Sequence, residues 1–188
     1  MIEHEPHVGN LYQSGIDGRR VAIVGYSHYR KPNEADTNDF TIEVVGEFQS
    51  GKHARDTLLR NVMKCFGSSD REGFWESVLF FNYIPECIGI DKYQEGTDEQ
   101  KTRGNARFLR YVEKHLPHQV FVFTAKGWQR NLKTVFADIK QMAPDFPTYR
   151  RAVHTTGGHV TEVFALRHTN YADLNELKRA VEFARTAL

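Results

Sequence analysis

Cysteine is scarce in this chain: Cys65 and Cys87 are the only two among 188 residues. Their spacing matches no zinc or iron–sulfur motif, and two thiols cannot build a disulfide-rich scaffold. Each reads as a small buried apolar side chain in a reducing compartment. Long apolar runs are also missing, since none approaches the roughly 18 residues needed to cross a bilayer. The start, Met1-Ile2-Glu3-His4-Glu5-Pro6, is acidic and polar, unlike a secretory signal. A cytoplasmic protein with no membrane partner is expected. Charge of one sign is absent too: 25 Lys and Arg stand against 24 Asp and Glu, a net charge of +1. That balance argues against coating nucleic acid by bulk electrostatics. Local basic rims remain at Arg19-Arg20, Arg30-Lys31 and Arg150-Arg151, and Arg103, Arg107 and Arg110 share a helix face that would meet phosphates or water. Finally, the chain has no repeat, low-complexity tract, Gly/Pro linker, Gly-rich phosphate loop or His/Asp/Glu metal spacing. No cofactor and no metal are expected, and residues 1–188 are expected to form one domain and a monomer.

What is present alternates between apolar runs and helical periodicity. Val21-Ala22-Ile23-Val24, Val78-Leu79-Phe80-Phe81, Gln119-Val120-Phe121-Val122-Phe123 and Val160 to Leu166 read as buried strands. Helical spacing marks His53–Phe66 (closed by Gly67), Asp98–His115 (stopped by Pro117), Gly127–Lys140 and Ala172–Leu188. In the second of these, Ala106, Leu109, Val112 and Leu116 are expected to face inward. Arg30–Asp39 reads as a long loop, and Tyr149–Val153 as an added edge strand. This order predicts an α/β fold: a three-layer α/β/α sandwich around a mostly parallel four-stranded sheet. Gly25–Tyr29, Asn82–Pro85, Thr124–Gly127 and Arg167–Tyr171 would then emerge on one edge of the sheet, where such folds place their sites.

Two histidines and an asparagine at the ends of different strands, His28, His168 and Asn82, make that edge the candidate site. Ser27 lies beside them but not in a Gly-x-Ser-x-Gly elbow, which weakens a serine-hydrolase reading. Val21-Ala22-Ile23-Val24-Gly25-Tyr26-Ser27-His28-Tyr29 resembles the first motif of the uracil-DNA glycosylase superfamily. Val78-Leu79-Phe80-Phe81-Asn82 is similar to its strand ending in a base-reading asparagine. Val120 to Trp128 resembles its third strand and glycine turn, and Leu166-Arg167-His168-Thr169-Asn170 falls where the family keeps a His-Pro-Ser motif. The resemblance runs from Val21 to Tyr171, by order and spacing.

The resemblance implies a four-stranded parallel sheet between helices and a substrate base flipped out of DNA, because the glycosidic bond is inaccessible within the stack. Asn82 would bond the base edge with Gly25 beside it, Tyr26 or Tyr29 would stack on the base, and His168 would stabilise charge on the departing base. Arg167, Thr169 and Asn170 would contact DNA. Typical members carry Asp or Asn in the first motif to position water, whereas this chain has Tyr26-Ser27-His28. His28 is one candidate for that task, and Glu34, Asp36 and Asp39 in the following loop are others. Three readings stay open at this point. One is a glycosylase acting on uracil or a deaminated purine. The second is a catalytically silent member binding a nucleobase, nucleotide or protein in the same cleft. The third is another hydrolase using His28 and His168.

Overall fold

Short runs of β-branched and aromatic residues without polar alternation can be covered on both faces only at the middle of a layered sheet. The computed structural model describes residues 2–52, 57–89, 94–124, 134–136 and 138–186. Along the chain its elements are β1 (His7–Val8), β2 (Val21–Gly25), α1 (Phe40–Gln49), α2 (Thr57–Cys65), α3 (Arg71–Glu76), β3 (Val78–Asn82), α4 (Asp98–His115), β4 (Gln119–Phe123), β5 (Lys140–Ala143), β6 (Phe146–Thr156), β7 (His159–Leu166) and α5 (Leu174–Thr186). β2, β3 and β4 are buried at every position.

The sheet is larger than expected. It has seven strands in the order β1-β3-β2-β4-β7-β6-β5 and is mixed rather than four-stranded. β3, β2, β4 and β7 run parallel to one another, while β1, β6 and β5 pair antiparallel with their neighbours. The strand expected at Tyr149–Val153 spans Phe146–Thr156 and lies inside the sheet, with β5 outside it. Its half-exposed alternation reads as an edge, although both of its sides are hydrogen-bonded.

Alternate strand residues feed two cores. Val21, Ile23, Phe80, Phe121 and Phe164 pack with Val45 and Phe48 of α1, Val62 of α2, Trp75 of α3 and Val181 of α5. Ala22, Val24, Phe81, Val122 and Val163 pack with Phe108, Tyr111 and Val112 of α4. Each fully buried large apolar side chain contributes about 1.5–3 kcal/mol relative to exposure. Helices thus cover both faces of the sheet.

The helices show where local signals succeed and where tertiary contacts override them. α2 ends as expected at Gly67, whose φ of 73° suits a residue without a Cβ. The first four residues of that predicted helix, 53–56, lie outside the described residues. α4 matches Asp98–His115 and starts with a reciprocal cap between Thr97 and Gln100. Its inner face, however, is Gly104, Arg107, Phe108, Tyr111 and Val112, whereas Ala106 is exposed and Leu109 half-buried. The three arginines are not a shared solvent face. Arg107 is buried, Arg103 pairs with Glu86 at 2.5 Å, and Arg110 pairs with Glu3. Most of the helix expected at Gly127–Lys140 lies outside the described residues, and Lys140 opens β5. α1 was not expected, because Thr41, Ile42, Val44, Val45 and Gly46 lower helix propensity. It forms because Phe40, Thr41, Val45 and Phe48 bury a common face. No helix is long and apolar enough to cross a membrane, among the described residues.

Candidate functional site

The parallel registers bring the strand ends together. Gly25 pairs with Asn82, and Phe123 with Leu166, so Gly25, Asn82, Thr124 and His168 all stand at the carboxyl edge. Pairing continues into the loops: Tyr83 N–H donates to Gly25 O at 2.9 Å and Ile84 N–H to Tyr26 O at 2.8 Å. The strand order sets Asn82 and His168 three spacings apart, or about 14 Å between strand axes.

Asn82 is held from several sides. It is 1% exposed, and Arg107 donates to its backbone carbonyl. The second guanidinium nitrogen of Arg107 donates to His4 O, fastening the N-terminal segment to the end of β3. A Cβ at position 25 would lie 2.2 Å from Asn82 Oδ1, so the bare backbone of Gly25 is what the amide rests on. Gly104 does the same for the next residue, since a Cβ there would meet Tyr83 O at 2.7 Å. Tyr83 in turn donates to Lys101 O and Asn105 Oδ1, both at 2.8 Å.

Four buried oxygens without hydrogen-bond partners lie at this edge, as others do elsewhere in the fold, Gln119 Oε1 and Glu162 Oε2 among them. Asn82 Oδ1 from β3, Ser27 Oγ beyond β2, Thr124 Oγ1 beyond β4 and Thr169 Oγ1 beyond β7 are all in this state. Each of the four parallel strands thus supplies one. Leaving a buried polar group unpaired costs about 1–3 kcal/mol, and such groups concentrate where a ligand or ordered water completes them. Thr124 was not singled out from sequence; its position directly after a buried strand was the available signal.

His168 is half-buried, and burial lowers its pKa below the ordinary histidine value. Asn170 N–H donates to its Nδ1 at 3.2 Å. In the neutral ring that bond puts the proton on Nε2, which becomes the donor. Arg167 and Asn170 are exposed, while Thr169 is buried and presents little surface to a phosphate. Tyr171 leans on the His168 ring with centroids 5.6 Å apart.

The first-motif residues divide into two groups. Tyr26 stacks on Tyr83 at 6.4 Å, and its hydroxyl accepts the Gly96 N–H at 3.0 Å, which ties down the loop after β3. Tyr29 is 39% exposed. His28 bonds Thr41 Oγ1 through Nε2 at 3.0 Å and sits among the rings of His4, Phe40 and Phe80. Burial, followed by the nearby charges of His4 and Arg107, pushes its pKa down to about 3. A base that weak is poorly matched to taking a proton from water near pH 7. Two of the three loop carboxylates are engaged elsewhere. Glu34 accepts Lys31 N–H at 2.9 Å, and Asp36 bonds His4 Nε2 at 2.6 Å and Cys87 N–H at 3.1 Å. Asp39 is exposed ahead of α1 and makes no side-chain cap.

One open cavity of about 360 Å³ lies away from this edge, near the amino ends of β2 and β3. Its polar groups already have partners: Asp70 caps α3, Ser68 Oγ donates to Asp70 O, and Ser77 Oγ donates to Gly73 O. Comparison with known proteins adds no relative: no family model matches the chain, and no curated protein matches it.

Proposed function

We propose that the protein binds a flipped nucleobase at the carboxyl edge of its sheet and hydrolyses its N-glycosidic bond, as a uracil-DNA glycosylase-like enzyme. The observation that carries this reading is the unpartnered, buried Asn82 Oδ1 lying over Gly25, with His168 held as an Nε2–H donor at the same edge of the sheet. An amide offering an acceptor and two donors suits the edge of a base that carries an N–H beside a carbonyl. In the reaction the C1′–N bond breaks and its electron pair goes to the base. Water supplies oxygen to C1′, and the proton it gives up neutralises the released base. His168 Nε2–H would donate to the base oxygen on which negative charge develops.

A second reading is favoured by one specific observation. Asp36, Glu34 and His28 are all occupied by other partners, so none is poised to take the proton from water. That arrangement suits a member that binds a nucleobase without cleaving it. Both readings are tested by base release from oligonucleotides containing uracil, hypoxanthine or xanthine, with Asn82→Ala and His168→Ala alongside. Under the enzyme reading, wild type releases a base and His168→Ala lowers the rate by about 10²–10³-fold. No release by folded wild type, with nucleobase binding that is lost in Asn82→Ala, establishes the binding reading. Neither release nor binding sinks both.

A further inference from the structure

We propose that His4, Asp36 and Cys87 form a binding site for a divalent cation of zinc type, and that the ion fastens three segments beside the candidate cleft. The proposal stands independently of the reaction. One ligand atom from each residue lies within 4.8 Å of the other two. Imidazole, carboxylate and thiolate together suit zinc, which takes nitrogen, oxygen and sulfur donors in tetrahedral sites and leaves a fourth position for water when the protein supplies three.

The surroundings support a built site. His4 is fully buried, and its Nδ1 has no hydrogen-bond partner. Asp36 is only 15% exposed at its side chain and Cys87 is half-buried, so an ion has a route in from their side. The backbone is anchored around them: His4 N–H donates to Pro85 O at 2.7 Å, Glu5 N–H to Asn38 O at 2.6 Å, and Cys87 N–H to Asp36 Oδ2 at 3.1 Å. The three ligands come from the N-terminal segment, the loop after β2 and the loop after β3. Their separations of 32 and 51 residues escape any short motif. The His28 ring lies 5.5 Å from that of His4, which places the ion behind the first-motif loop.

The proton balance is simple. Asp36 coordinates as the carboxylate it already is. His4 stays neutral, either binding through Nδ1 or moving its Nε2 proton to Nδ1. Cys87 gives up its thiol proton, so one proton leaves for each ion bound.

The test is titration of the chelator-treated full chain with Co²⁺, followed by competition with Zn²⁺. One equivalent of Co²⁺ should produce a thiolate-to-cobalt charge-transfer band that Zn²⁺ removes, and Cys65→Ala should keep it. With free Zn²⁺ at about ten times its Kd, alkylation of Cys87 should slow by about tenfold. Cys87→Ser should lose the band while its metal-free melting matches that of metal-free wild type. A folded wild type that shows no such band, or a band that survives in Cys87→Ser, overturns the proposal. So does alkylation of Cys87 that is indifferent to Zn²⁺.

Discussion

Replacing Gly25 with alanine tests the contact on which the candidate site is built. The backbone there is not in the left-handed region, so alanine introduces no dihedral strain. What it introduces is a methyl group 2.2 Å from Asn82 Oδ1, where ordinary contact begins near 3.4 Å, with Leu58 Cδ2 also close at 3.2 Å. The amide must retreat by about 1 Å inside a packed core, and overpacking of this kind costs about 1–3 kcal/mol. Asn82→Ala alone should cost little. It removes a buried acceptor that has no partner, and that relief offsets the small cavity left behind. In the Asn82→Ala background the new methyl group finds space, so the double variant should be more stable than the sum of the singles by about 0.5–3 kcal/mol. Urea unfolding of wild type, both single variants and the double variant measures that coupling. Single effects that add within about 0.5 kcal/mol would refute the contact. For function, a displacement of about 1 Å in a positioning group can cost about 10²-fold, so Gly25→Ala should nearly abolish base release or base binding while remaining folded. Unchanged function in a variant that shows the expected coupling would remove Asn82 from the site.

The three arginines of α4 should separate sharply in stability. Arg107→Met removes the side-chain donor to the Asn82 carbonyl, leaves the His4 carbonyl only the long bond from the Tyr111 hydroxyl, and should cost about 3–5 kcal/mol. Arg103→Ala and Arg110→Ala should each stay within about 1 kcal/mol, because their ion pairs lie toward the surface. Equal effects in urea unfolding would undo the distinction. Acid should weaken the fold before most carboxylates titrate. Burial lowers His118 and His168, and each accepts a backbone N–H at Nδ1, from Arg20 and Asn170. Their unfolded value is about 6.5, so the unfolded chain binds more protons below it. Stability should be complete above about pH 6.5 and fall as pH drops toward the folded values, by at most about 1.4 kcal/mol per pH unit for each proton. Unfolding at pH 7.5 and 5.5 should show the loss, and His118→Gln should reduce it. A flat profile would count against neutral, hydrogen-bonded histidines.

The parts of the fold legible in the sequence are those whose signal is local. Val21–Val24 and Val78–Phe81 are unbroken apolar runs, and Gly67 and Pro117 end helices for reasons carried by single residues. The antiparallel extension β5-β6 was less legible because Phe146–Thr156 is buried at only some positions, so its periodicity looks the same at an edge as inside. α1 hides its helical face behind β-branched residues. The buried Arg107 is the reverse case: charge and spacing placed it with Arg103 and Arg110 on the outside. The cations of Arg107 and Arg110 also lie over the rings of Phe81 and Tyr111, an apolar setting that helical spacing alone does not reveal.

At the site, strand order converts residues distant in sequence into neighbours, and the sequence carries the ends of strands far better than it carries side-chain direction. Asn82 ends a buried strand and His28 follows one, yet Asn82 keeps an oxygen without a partner while His28 bonds into α1, a helix the sequence does not announce. The contrast has a physical source. A residue in register at a strand end has its face fixed by the alternation of the strand. A residue three positions beyond takes whatever direction its loop contacts dictate, here those of Phe40 and Thr41. The same reasoning separates Thr169 from Asn170 in the last loop: one hydroxyl is buried against the edge, and the other residue is exposed with its N–H fixing the His168 tautomer. Under the proposed function, the residues to test first at this edge are therefore Asn82 and His168, the one placed by the sheet and the other held by one backbone bond. What the first-motif loop contributes is set by its packing against α1 and the N-terminal segment.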